Sequence, residues 1–114
     1  MSLTVLGKNI ALDGLGITEA SLHSGDPTDA GTALEISGGG YSRQAILFDS
    51  ASGGSINSDT NPVFSVEGGT QVSHYAFWNG SNQCIDQGAL SSSESFSGDG
   101  EYTLTDADIH LTDA

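Results

Sequence analysis

The spacing of apolar residues changes once along this chain. Leu3, Leu6 and Ile10 recur at helical spacing and Leu15 extends the row, with Gly14 and Gly16 placed to stop a helix. Gly7 weakens a helix at that point. Residues 1–16 are therefore expected to form a short N-terminal helix packed on a sheet edge, or an arm that reaches a neighbouring subunit. From Ile17 onward the pattern becomes short runs of β-branched and aromatic residues broken by clusters of Gly, Ser, Asn and Asp. That is the mark of strands joined by tight turns. Strands are expected at 17–23, 34–36, 41–48, 63–66, 72–78, 84–90, 94–96, 102–104 and 109–111.

Strands this short and this regularly spaced predict an all-β chain: a single β-sandwich or jelly-roll-like domain over 17–114, preceded by the helix or arm of 1–16. Strict alternation in 72–78 puts Val72, His74, Ala76 and Trp78 on one side and Tyr75 and Phe77 on the other, both largely apolar, as in a central strand. Asn79-Gly80-Ser81-Asn82 reads as the turn of a hairpin joining this strand to 84–90. Gly53-Gly54, Gly68-Gly69 and Asp99-Gly100 offer further turns, and no internal repeat or domain boundary is visible.

Composition sharpens the picture. In 114 residues, 36% are apolar and 16 are Gly, which suits the thin core between two stacked sheets. Fifteen carboxylates face only Lys8 and Arg43, a formal charge of −13, and the acids run from Asp13 to Asp113 without forming a block. Such an excess repels itself in dilute buffer, whereas in molar salt the Debye length shrinks to about 3 Å and the repulsion fades. A protein adapted to concentrated salt is expected. Nucleic acid and membrane are not expected as partners, since both need phosphates neutralised by Lys or Arg. Apolar runs are too short to span a bilayer, and the start lacks the basic and apolar regions of a signal peptide, so synthesis in the cytoplasm is expected. Cys84, the one cysteine, excludes an intrachain disulfide and a zinc site built on paired Cys.

The densest candidate chemistry lies in 21–43. Gly38-Gly39-Gly40 lacks the Gly-Lys-Ser/Thr and the following helix of a phosphate loop, and a turn or bulge at a sheet corner is expected instead. His23, Asp26 and Asp29 invite a metal or dyad reading. Asp26-Pro27 more simply starts a turn, and His23, His74 and His110 never share the short spacing of a zinc site. Asp106-Ala107-Asp108 lacks the central Gly and closing Glu of a calcium loop. No Ser, including Ser91-Ser92-Ser93, sits in a nucleophile elbow. No catalytic residue, metal or cofactor is expected, and the chain does not read as an enzyme.

The order Ser21-Leu22-His23-Ser24-Gly25-Asp26-Pro27, then Glu35-Ile36-Ser37-Gly38-Gly39-Gly40-Tyr41-Ser42-Arg43, resembles a widespread family of small virion proteins of tailed phages, of tail-fibre, minor-tail or capsid-decoration type. The agreement continues through 45–48, 62–64, 72–78 and 88–90, most of the chain after residue 10. The resemblance implies a β-sandwich assembled as repeated copies and brings no active site with it. With its acid excess, this version looks like one from a virus of salt-loving archaea. The expected function is a structural virion protein, a capsid decoration, turret or tail component that binds and oligomerises on the particle. Its expected partners are other copies of itself and the major capsid or tail proteins, with Leu3, Val5 and Leu6 at the contacts. The rival expectation is a receptor-binding module of a tail fibre or turret, with host surface glycan as its partner.

Overall fold

A computed structural model describes residues 2–105 and 107–110. The N-terminal segment is a helix, α1 (Val5–Asp13), begun by Thr4, whose Oγ1 accepts from the Gly7 N–H at 3.0 Å, and closed by Gly14. Gly16, at φ +67°, then turns the chain into the first strand. The row Leu3, Leu6 and Ile10, whose spacing marked the helix, does not face the body. Leu6 and Ile10 are 69% and 65% exposed, and the one buried helix residue is Leu12. Polar anchors set this rotation: Asn9 Oδ1 accepts from Gly54 N–H at 2.9 Å and Asp13 Oδ1 from Ala51 N–H at 2.7 Å.

Eight strands follow among the described residues: β1 (Ile17–His23), β2 (Gln44–Ala45), β3 (Ser55–Asn57), β4 (Val63–Val66), β5 (Gln71–Asn79), β6 (Cys84–Ser95), β7 (Gly100–Thr103) and β8 (Asp108–His110). The fold is all-β after one short helix, as the pattern predicts. A four-stranded antiparallel sheet runs β2-β1-β5-β6, and two antiparallel ribbons, β3-β8 and β4-β7, take the place of a continuous second sheet. Leu22 and Phe77 of the sheet, Phe64 and Val66 of β4, and Ile46 and Leu104 share one core, the arrangement of a β-sandwich with a divided second layer.

Several strands differ from their expected spans. The stretch 41–48 contributes only β2 and a bridge from Phe48 to Ser58, and 34–36 only a bridge from Glu35 to His23. The expected strands 84–90 and 94–96 are parts of one strand, β6, and β3 was not expected, having a single apolar residue, Ile56. Leu111, at the end of the last expected strand, lies outside the described residues. The face assignment in β5 also changes. Val72 joins Phe77 in the core cluster instead of siding with Ala76 and Trp78. Pairing slips between Val72↔Glu94 and His74↔Ala89, and again between Phe77 and Trp78, and such irregularities break simple alternation.

Phe64 is wholly buried with Tyr41 stacked on it at 6.1 Å between ring centroids. Phe64→Ala is expected to cost about 3–5 kcal/mol, and Val63→Ala on the exposed face of β4 less than about 1 kcal/mol. Urea unfolding of both variants in the same high-salt buffer checks the contrast.

Candidate functional site

The sheet of four strands has a second face, turned away from the core, on which Ala76 and Trp78 of β5 and Ser21 and His23 of β1 lie buried. Among the described residues no strand or helix covers it. The cover is the segment 24–43, a strap that leaves β1 and returns at β2. Asp26 Oδ1 accepts from Thr28 N–H at 2.9 Å, the side-chain turn expected of Asp26-Pro27, and Pro27 is fully buried. Gly31, at φ +73°, passes so close to Trp78 and Cys84 that a Cβ there would stand 2.5 Å from the Cys84 sulfur. Gly38, Gly39 and Gly40 all have positive φ, at +83°, +61° and +83°, and a Cβ on Gly39 would stand 2.8 Å from the Glu67 backbone. The glycine run is therefore a turn laid against the loop after β4, as expected, with no helix behind it.

Beneath the strap runs a chain of hydrogen bonds. The Trp78 indole N–H donates to Ser21 Oγ at 2.8 Å, the Ser21 hydroxyl meets His23 Nε2 at 2.7 Å, and His23 Nδ1 meets the Ala33 carbonyl at 2.8 Å. A carbonyl only accepts, so Nδ1 carries the proton and Nε2 accepts from Ser21. Ser21 and His23 thus have the spacing of a nucleophile and its base. Both are 0% exposed, however, the serine oxygen already accepts from Trp78, and a carbonyl stands where an orienting carboxylate would be. As arranged, the pair meets no substrate. It joins the strap to two neighbouring strands.

At the outer end of the strap, Arg43 closes the cover. Its Nε and Nη2 donate to the two oxygens of Glu35 at 3.1 and 3.0 Å, its Nη1 to Asn82 Oδ1 at 2.8 Å, and its guanidinium lies over the Trp78 ring at 3.8 Å from the centroid. Tyr41 donates to Glu35 Oε2 at 2.8 Å and accepts from Leu22 N–H at 3.0 Å. Burial pushes the Glu35 carboxyl up, but the bonds from Arg43 and Tyr41 outweigh it and hold the group below its ordinary range. The Glu35 bonds in turn raise the Arg43 guanidinium, while burial, with Glu35 beside it, pushes the Tyr41 phenol up. The partnership of Glu35, Tyr41, Arg43 and Trp78 was not legible in the pattern, although Arg43 as one of two cations in so acidic a chain was a signal that it sits somewhere special.

The other candidates fall apart on inspection. Neither His23 nitrogen is bonded to Asp26 or Asp29, which are exposed. His74 Nδ1 bonds its neighbour Ser73. Burial first, and then Asp86, push the Cys84 thiol up, away from thiolate character. Among the described residues no group of His, Cys, Asp and Glu is placed to hold a metal ion and no helix is long and apolar enough to cross a membrane. Asp106 of the acidic stretch 106–108 lies outside the described residues. Two surfaces remain. One is α1 with the residues just before it, where Leu3, Val5 and Leu6 are at 43%, 57% and 69% exposure. The other is a groove of about 360 Å³ lined by Tyr75, Leu90, Tyr102 and Asp108 among others.

The family model for podophage GP4 fiber I protein gp80 matches residues 18–112. No curated protein and no solved structure matches the chain. The matched span contains the strap, its clamp, β1 from Thr18 onward and β2 to β8, and leaves α1 outside.

Burial lowers the His23 imidazole below its ordinary value of 6.5, against smaller upward pulls from Ala33 and Glu35. The unfolded chain therefore takes up this proton first as pH falls. The stability that neutral His23 contributes is complete above about pH 6.5 and is lost as pH drops below it toward the folded-state pKa. In molar salt, the stability difference between wild type and His23→Gln is expected to shrink on going from about pH 8 to about pH 5; a difference that widens toward acid contradicts the buried neutral ring.

Proposed function

Because the chain belongs to the podophage GP4 fiber I protein gp80 family, a phage tail-fibre type of structural virion protein, we propose that it acts by binding alone, as repeated copies held on the particle of a virus that multiplies in concentrated salt. The observation that carries this reading is the use made of the chain's most site-like residues. His23, Glu35, Tyr41, Arg43 and Trp78 all bond one another or the backbone beneath the strap, so the chemistry of the signature is consumed in holding a loop to a sheet. What faces outward is a rigid acidic body and a helix with exposed Leu3, Val5 and Leu6. These three are the proposed contacts to neighbouring copies or to tail proteins. A place as capsid decoration or turret suits the same surfaces but has no support from the family.

The halophilic setting rests on charge. With −13 on 114 residues, self-repulsion opposes the compact state until salt screens it. Thermal melts are expected to show a melting temperature several degrees lower after dialysis from multimolar to millimolar salt, and an unchanged value contradicts the setting. Mass spectrometry of purified virions, read together with labelled electron micrographs of the tail, tests the placement. Copies in the tail are expected, and absence from the particle overturns the reading.

A second reading, recognition of host surface glycan, is favoured by the groove. Tyr75 and Tyr102 are half-buried there, so each offers part of a ring to the apolar face of a sugar. Tyr75 also donates to Asp86 at 2.7 Å, fixing a carboxylate beside the groove that can accept sugar hydroxyls. Titration with polysaccharide from the host envelope is expected to quench tyrosine fluorescence in the wild type and not in Tyr102→Ala. Equal response in both removes this reading.

A further inference from the structure

Among the described residues the two most exposed large apolar side chains, Leu6 and Ile10, both lie on α1. Leu6 and Ile10 stand one turn apart on the outward side of α1, 69% and 65% exposed, and Val5, in the first turn on another side, is 57% exposed. Asn9, Asp13 and buried Leu12 fix the helix to the body, so it cannot roll to hide these residues without breaking two side-chain hydrogen bonds. A soluble surface seldom keeps such residues together unless something covers them.

Charge says what covers them. No Asp or Glu precedes Asp13, whereas all 15 carboxylates follow from there on, and the segment carries Lys8, one of the chain's two cations. A basic partner would be drawn to the rest of the surface, not to this carboxylate-free end. A neighbour as acidic as this chain has the opposite need: it can approach closely only where neither side presents carboxylates. A second copy of this chain meets that condition, because its own helix offers the same apolar face, with no carboxylate before Asp13.

We propose that α1 is the self-association surface of this protein, two copies packing helix against helix through Leu6 and Ile10 about a two-fold axis. The contact is isologous; with the two-fold axis perpendicular to the helices they run antiparallel, and the positive amino end of each lies toward the carboxyl end and Asp13 of the other. The inference rests on the reading of the protein as a binding component used in repeated copies, and it names the partner of that surface. It also places the contact outside the span shared with the family, 18–112, so that the shared sandwich stays free for whatever else the particle requires. Salt strengthens the association, since it both screens the acidic bodies and reinforces apolar burial.

Sedimentation velocity of the full chain over a concentration series, in multimolar and in lower salt, tests the proposal. The wild type is expected to associate reversibly, more tightly at higher salt, and Leu6→Asn with Ile10→Asn to raise the dissociation constant by at least about tenfold. Circular dichroism confirms that the double variant keeps its strands. Leu34→Asn, a substitution at a similarly exposed leucine of the strap (59%), serves as the control and is expected to leave association unchanged. A chain that stays monomeric at every concentration and salt overturns the inference, as does association that the helix substitutions leave intact or that Leu34→Asn abolishes. If the protein is found in virions while the isolated chain stays monomeric, only the helix contact fails; if it is missing from virions, the placement on the particle fails independently.

Discussion

The second face of the main sheet depends on one cation. Arg43 is held edge-on by both oxygens of Glu35 and lies flat over Trp78, and through those contacts it fastens the far end of the strap over an indole that no regular element covers. A thin sandwich leaves one face of its larger sheet without a partner layer. Most sheets in that position turn polar side chains outward, whereas here Trp78 and Ala76 lie beneath a loop. The loop is rich in glycine because its backbone must lie against Cys84, Trp78 and Glu67 with no room for side chains. Glycine alone gives the strap no grip of its own, and the grip comes from polar groups at its two ends, His23 with Ala33 and Arg43 with Glu35.

Salt makes that choice of fastening consequential. Exposed ion pairs contribute little and fade in concentrated salt, but the Arg43 and Glu35 side chains are only 24% and 21% exposed and are joined by two parallel hydrogen bonds. Partial burial and contact with the indole keep such a pair effective where surface pairs fail. The same charge balance that leaves the body repelling its neighbours thus leaves its internal clamp intact.

How much of this was legible depended on the range over which each feature is encoded. β1 and β4 stand at the expected 17–23 and 63–66, and the Asn79 turn joins β5 to β6 as its residues promise, since Asn79 Oδ1 accepts from both Ser81 and Gln83 N–H. These are local rules. Ser21 and Trp78 are 57 positions apart and Arg43 and Asn82 are 39 apart, and no spacing within a window announces such partners. Val72 was assigned to the wrong face because a strand partner with extra residues, 90–93, opposes it near Ser73. The helix was visible and its buried side was not, because two hydrogen bonds from the 51–54 loop outweigh the apolar row in setting its rotation. The resemblance to phage virion proteins was carried by residues that build the strap, which is why it spoke to fold and family and said nothing of contacts.

The claim at the centre is that Glu35 and Arg43 form a structural clamp whose strength survives salt. A double-mutant cycle measures this most directly, using urea unfolding of the wild type, Glu35→Gln, Arg43→Gln and the double variant in molar potassium chloride. A coupling energy of about 1–2 kcal/mol, above that of an exposed pair, is the predicted result. Additive losses, with coupling near zero, would contradict it.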